Sequence, residues 1–185
     1  RVFLRQRTAW SGAVHDYSLP VFEVQRAAGG ITEAKFDELR DQWLAGNPAE
    51  PASFRWITAY ASATVTADDA RAALAAKPDS FAVNSLTMSA ERAEQIGLTY
   101  FLAGNSEEGI RYLTAASSSC AILDGASAIF STWGAFHLGR AFEARGDSAR
   151  ACDAYRRVLV RWGSAPTSTT ARKAKERRVA LACNP

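Results

Sequence analysis

Residues 138–163 read LGRAFEARGDSARACDAYRRVLVRWG, and the order of small, aromatic and charged residues in this stretch decides the fold. Gly139 is followed three positions later by Phe142, the run closes on Gly146, and Ala151 and Tyr155 come after it. A late glycine reaches the left-handed backbone that ends a helix. The spacing therefore predicts one helix over about 126–144, a turn at Gly146-Asp147, and a second helix over 148–162.

The same plan occurs earlier in the chain. Aligning Gly97 with Gly139, 42 positions on, sets Ile96 with Leu138, Tyr100 with Phe142, Gly104 with Gly146 and Gly109 with Ala151. Small residues at 97, 109, 139 and 151 let two antiparallel helices approach closely, and Tyr100 and Phe142 fill the space beside that contact. Ser89 is placed to cap a helix running to 103. Gly104-Asn105 turns the chain, and Ser106-Glu107-Glu108 opens a partner helix ending near 117.

Gly139, Phe142, Gly146, Ala151 and Tyr155 resemble the signature of the tetratricopeptide repeat: a small residue, an aromatic, a turn glycine, then an alanine and an aromatic on the second helix. The earlier copy shares Gly97, Tyr100 and Gly104 and departs at Gly109 and Leu113. The usual period of such repeats is about 34 residues, so the 42-residue spacing here implies an extended connection around 117–125. Two copies are few for such an array, so the helices before Ser89 and the last helix are expected to cap the stack.

Outward from the repeats the reading stays helical. After the turn GSAPTS, a last helix is expected from 169 to about 183. Toward the N-terminus, residues 51–78 read as a helical hairpin whose second member starts at Thr66-Ala67-Asp68-Asp69, where threonine caps and the carboxylates favour the positive end of the helix dipole. Phe36, Leu39, Trp43 and Leu44 fall at helical spacing between Thr32 and the breaker Gly46-Asn47-Pro48. Residues 1–16 form a candidate first helix, broken at Leu19-Pro20, and 79–88 read as a loop. The fold class is all-α: antiparallel helical hairpins stacked as a short tetratricopeptide-like right-handed solenoid with a C-terminal capping helix. A helical segment, 1–85, packs on or caps a repeat region, 86–185, with hairpins at about 89–117 and 126–162 and a capping helix at 169–183.

Composition narrows the function classes. With 48% apolar and 22% charged residues, the chain is globular in character, neither disordered nor fibrous. The longest nearly apolar stretch, ASAIFSTWGAFHL at 126–138, falls short of the roughly 20 apolar residues that cross a bilayer. The net charge of +3 gives no general case for nucleic acid. The start, RVFLRQRTAW, has neither an initiator Met nor the apolar core of a secretion signal, which suggests a fragment or a processed product.

Read together, IGLTYFLAGNSEEGIRYL (96–113), Cys120, HLGRAFEARGDSARACDAYRRVLVRWG (137–163), a Pro-Ser/Thr turn, TARKAKERR and ALAC resemble the helical-repeat region that follows the kinase domain and membrane segment in certain bacterial serine/threonine protein kinases. The resemblance covers about residues 90–183. It implies an extracytoplasmic sensor or docking region, although such tails also occur detached from kinases. The chain has no glycine-rich phosphate loop, H-R-D loop or D-F-G triplet, so phosphoryl transfer is not its own chemistry.

No catalytic residue, cofactor site or metal site is expected. His15 and His137 stand in no metal-binding spacing. His137 reads as a structural, hydrogen-bonded histidine. Cys120, Cys152 and Cys183 make no zinc motif. Cys152 begins one helix and Cys183 ends the next; simple antiparallel register leaves them about one turn, some 5 Å, out of step. A bond needs Cα atoms within about 7 Å, so a Cys152–Cys183 disulfide and two free thiols both stay open, with Cys120 unpaired.

First helices of tetratricopeptide repeats line a concave groove, and the matching positions are Glu91, Glu94, Leu98 and Phe101, then Trp133, Phe136, Arg140 and Glu143. An aromatic groove with charges at its edge suits a peptide, unless Trp133 and Phe136 are buried against the N-terminal helices. Arg172, Lys173, Lys175, Arg177 and Arg178, near Arg156, Arg157 and Arg161, form a basic cluster that Glu176 interrupts and no aromatic reading platform accompanies. The expected function is a non-catalytic protein- or peptide-binding module, the sensory or docking tail of a membrane kinase. The alternative is a structural accessory subunit of a larger assembly.

Overall fold

The computed structural model describes residues 18–81, 88–119 and 125–184, and among them every regular element is a helix, with no strand. The chain divides into two compact units, 1–48 and 49–185. The division falls at Pro48, so the helices between 52 and 75 share a unit with those that follow. The expected helix at 1–16 and Cys120 lie outside the described residues, as do His15 and most of the 79–88 loop.

In the first unit, α1 (Ser18–Ala27) and α2 (Glu33–Gly46) pack together. Pro20 sits in the first turn of α1, where its missing N–H is not needed. The sequence break thus falls at a helix start. Thr32 caps α2 by accepting from the Lys35 amide, and Phe36 and Trp43 are its buried residues. Arg26 lies over the Phe36 ring at 4.6 Å.

The second unit opens with α3, Ala52–Trp56, which runs on into a π-helical turn, Ile57–Ala61, closed by the Ser62 amide on the Ile57 carbonyl. Then come α4 (Ala67–Ala75), α5 (Ala90–Leu102), α6 (Ser106–Ser118), α7 (Gly125–Ala144), α8 (Ser148–Trp162) and α9 (Thr169–Ala180). A reciprocal capping box, Thr66 with Asp69, starts α4. Each helix packs on its chain neighbour, α4 and the π-turn lie on α5, and α7 touches both α5 and α6.

Two buried clusters run through this unit. Trp56, Ile57, Ala73, Ile96 and Tyr112 form one, and Leu113, Leu138, Phe142, Tyr155 and Val158 dominate the other. Adjacent residues of α6, Tyr112 and Leu113, feed different clusters, so this helix joins them. The Trp56 indole is 2 % exposed and donates to the Ala73 carbonyl at 2.6 Å, which satisfies its one polar atom.

The glycines act as the spacing requires. Gly104 and Gly146 have φ of +89° and +75°, and each closes its helix with a paired set of backbone bonds. Asn105 N–H reaches the Tyr100 carbonyl and Asp147 N–H reaches that of Phe142, both at 2.9 Å. Added Cβ atoms at Gly97 and Gly109 would lie 2.7 Å from Leu113 Cγ and 2.9 Å from the Phe101 amide. Close approach of α5 and α6 therefore depends on both.

Candidate functional site

The site begins with the missing side chain of Gly139. A Cβ there would stand 2.5–2.8 Å from three ring atoms of Tyr155, so the ring of α8 lies directly on the backbone of α7. From that position the Tyr155 hydroxyl donates to Glu143 Oε2. Glu143, in the last turn of α7, also accepts from Arg177 of α9, whose Nε lies 3.2 and 3.1 Å from Oε1 and Oε2 and whose Nη2 bonds Oε1. One carboxylate thus ties three helices together.

The electrostatics follow from this geometry. The Arg177 hydrogen bonds hold the Glu143 carboxyl below the usual glutamate range, and Glu143 in turn pushes the Arg177 guanidinium up. Burial, followed by the bond to Glu143, pushes the Tyr155 phenol well above its ordinary value. The Tyr155 side chain is fully buried with its one hydroxyl satisfied.

Beside this knot opens a cleft of about 560 Å³, within the roughly 300–1,000 Å³ typical of ligand pockets. Phe101 of α5 and Phe136 of α7 form its apolar part, Arg140 and Glu143 continue along α7, and Lys173, Glu176 and Arg177 of α9 make the facing wall. Arg140 extends over Phe101, 5.4 Å from the ring centroid, and Phe136 contacts the Tyr155 ring at 5.8 Å. Glu143 and Arg177 neutralise each other. Arg140 and Lys173 form no ion pair among the described residues; with Glu176 also lining the cleft, Arg140, Lys173 and Arg177 stand against the carboxylates of Glu143 and Glu176, a small positive excess beside two aromatic rings.

Four of the eight groove positions expected from the sequence meet in this cleft: Phe101, Phe136, Arg140 and Glu143. The other four do not line it. Glu94 is only 4 % exposed and bonds His137 Nδ1 at 2.6 Å, so it faces α7 and not a groove. His137 is accordingly a hydrogen-bonded residue linking two helices. Glu91 is exposed and Leu98 half-buried. Trp133 stays 39 % exposed and meets Phe130 edge to face at 5.4 Å.

Helix α9 supplies a wall that the repeat pattern does not announce. Only Ala171 and Ala174 of α9 are buried, and two alanine methyls contribute on the order of 1–2 kcal/mol. The Arg177–Glu143 pair adds to that, as does a disulfide between Cys152 and Cys183, whose Cα atoms are 5.6 Å apart. Register alone left the two cysteines a turn out of step. The helix stops at Ala180, and Ala182 takes a left-handed φ of +50°, with the Cys183 amide on the Arg178 carbonyl at 3.0 Å. That turn brings Cys183 back to Cys152.

The basic cluster is partly engaged elsewhere. Arg156 pairs with Asp153 at 3.3 Å, Arg161 bonds Ser131, Arg177 holds Glu143 and Arg178 bonds the Asn184 carbonyl. Among the described residues no three His, Cys, Asp or Glu side chains gather to hold a metal ion, and no helix is long and apolar enough to cross a membrane. Comparison of the chain with protein-family models, curated proteins and solved structures finds no match.

Proposed function

We propose that the chain is a non-catalytic helical-repeat module that binds a protein or peptide segment, with α5–α6 and α7–α8 as tetratricopeptide-like repeats of a short right-handed solenoid and α9 as its cap. The observation that carries this reading is the cleft, where Phe101 and Phe136 offer an apolar surface and Arg140, Lys173 and Arg177 outnumber the carboxylates of Glu143 and Glu176. A peptide bearing an apolar side chain next to an acidic one satisfies both halves, and the aromatic and arginine content is that of binding hot spots. No step of bond-making is assigned to the chain.

From the resemblance of residues 90–183 to kinase-associated tails we further propose a sensory or docking region on the extracytoplasmic side of a bacterial membrane. The disulfide supports that compartment, because such bonds persist in oxidising surroundings. A second reading, a structural subunit of a larger assembly, draws support from Ile129 and Trp133. They lie one turn apart on α7 and are 44 % and 39 % exposed.

The test is selection from a random peptide library on the purified chain, followed by affinity measurements on three variants. Phe136→Ala and Arg140→Ala are each expected to weaken selected peptides at least tenfold, equivalent to about 1.4 kcal/mol. Trp133→Ala leaves them unchanged. No enriched peptide, or equal affinity for all variants, removes the cleft as the binding site.

A further inference from the structure

The α9 wall is held less by packing than by bonds. Each helix from α5 to α8 buries a large side chain, among them Ile96, Leu113, Leu138 and Tyr155, whereas α9 buries only alanines. Leu181, just past its end, packs in part against the core. The connection from α8, residues 163–168, is mostly exposed; its turn bonds, Ala165 N–H to the Trp162 carbonyl and Ser168 N–H to the Ala165 carbonyl, set where α9 starts but do not reach its far end. Two features do fix it: the Glu143–Arg177 pair in its last turn and the Cys152–Cys183 bond beyond its end. Arg177 is half exposed, and a pair with one partner in water contributes little. Both cysteines are half-buried, not sealed in the core.

We propose that the Cys152–Cys183 disulfide is a redox latch on the cleft. Oxidised, it keeps α9, with Lys173 and Arg177, docked against α8; reduced, α9 swings out on its linker and the cleft loses one of its two walls. This rests on the reading of the cleft as the binding site. The chemistry is thiol–disulfide exchange with a dithiol reductant. One reductant thiolate attacks a latch sulfur, a mixed disulfide forms, and the other latch cysteine leaves as a thiolate and takes up a proton. The second reductant thiol then displaces the remaining latch sulfur, so two electrons and two protons reach the cysteine pair while the reductant closes into its own disulfide. Opening a ring closed over a sequence separation of 31 releases chain entropy equivalent to a factor of roughly 500 in the docking equilibrium.

Hydrogen exchange of the full chain tests this without any ligand. It compares the oxidised protein, the protein treated with dithiothreitol, and the Cys152→Ser/Cys183→Ser variant. Amides of 171–181 are expected to exchange about 100- to 500-fold faster in both latch-free forms, on the scale set by ring opening, while those of 106–118 and 148–160 change less than about threefold. Arg177→Ala, kept oxidised, is expected to accelerate α9 exchange less than about tenfold. Unchanged α9 protection on reduction overturns the latch. Loss of protection through α5–α8 also overturns it, since the bond is then a staple of the whole unit, and so does release of α9 by Arg177→Ala alone. In a second arm, a library-selected peptide is expected to bind the reduced chain at least tenfold more weakly; undiminished binding with α9 released shows that the cleft does not need this wall. Failure to enrich any peptide counts against the binding reading, whereas the exchange result concerns the latch by itself.

Discussion

Hairpins α5–α6 and α7–α8 share a backbone plan and differ in what fills it. Both close on a left-handed glycine, and both bring two helices together over a glycine in the first member. Over Gly97 lies Leu113, which can only pack. Over Gly139 lies Tyr155, the residue at the same place in the repeat, which packs and also donates to Glu143. Position by position, Phe101 becomes Glu143 and Leu98 becomes Arg140. The first copy of the plan gives the cleft Phe101, and the second gives it Phe136, Arg140 and Glu143.

The two hairpins differ most in the residue packed over the first-helix glycine. Tyr155→Ala removes a fully buried aromatic together with the hydroxyl that serves Glu143, and is expected to cost about 4 kcal/mol; Leu113→Ala, purely apolar, about 3 kcal/mol. Chemical denaturation checks both, and a larger loss for Leu113 would mean that the first hairpin, and not the second, anchors the unit.

A smaller effect tests the close approach itself. Alanine in place of glycine inside a helix normally adds about 1 kcal/mol of stability. Gly97→Ala would bring a methyl to 2.9 Å from the Leu113 amide nitrogen, and Gly139→Ala to 2.5 Å from the Tyr155 ring. Overpacking of this kind costs about 1–3 kcal/mol, so both variants are expected to melt lower despite the better helix former. Gly97→Ala suffers more, since a backbone atom cannot swing aside. A higher melting temperature for either would show that the helices have room to spare.

The smallest effect separates the hairpins by chemistry. Tyr155→Phe is expected to cost about 1 kcal/mol through the lost hydrogen bond, with no counterpart at Leu113. Glu143 is held in its ionised form by Arg177, so its contribution is complete above the ordinary glutamate value near 4.3 and is lost as pH falls through the lower folded value. Glu143→Gln should therefore flatten the acid side of the stability–pH curve below about pH 4. An unaltered acid limb would contradict the assigned role.

Much of the helical layout is legible in the sequence because it is written in local signals. Thr32, Thr66 and Ser89 cap helices where their spacing places them, and Gly104 and Gly146 end them. The π-turn at Ile57–Ala61 has no such signal: its apolar residues read equally well as ordinary helix. The division at Pro48 is likewise a matter of contacts, not of composition. Half of the cleft was visible because Phe101, Phe136, Arg140 and Glu143 occupy first-helix positions of the repeat pattern. The other half comes from α9, whose Lys173, Glu176 and Arg177 look like part of a solvated basic helix until Glu143, 34 residues away, is seen to pair with Arg177. Glu94 shows the converse: a groove position by register, it is buried because His137 of the neighbouring helix reaches it.

The most direct test of the whole account is an amide chemical-shift map of the oxidised chain titrated with a library-selected peptide. The account predicts perturbations confined to Phe101, Phe136, Arg140 and Glu143 and to 173–177 of α9. Shifts centred on Glu91 and Trp133, with α9 silent, would contradict it.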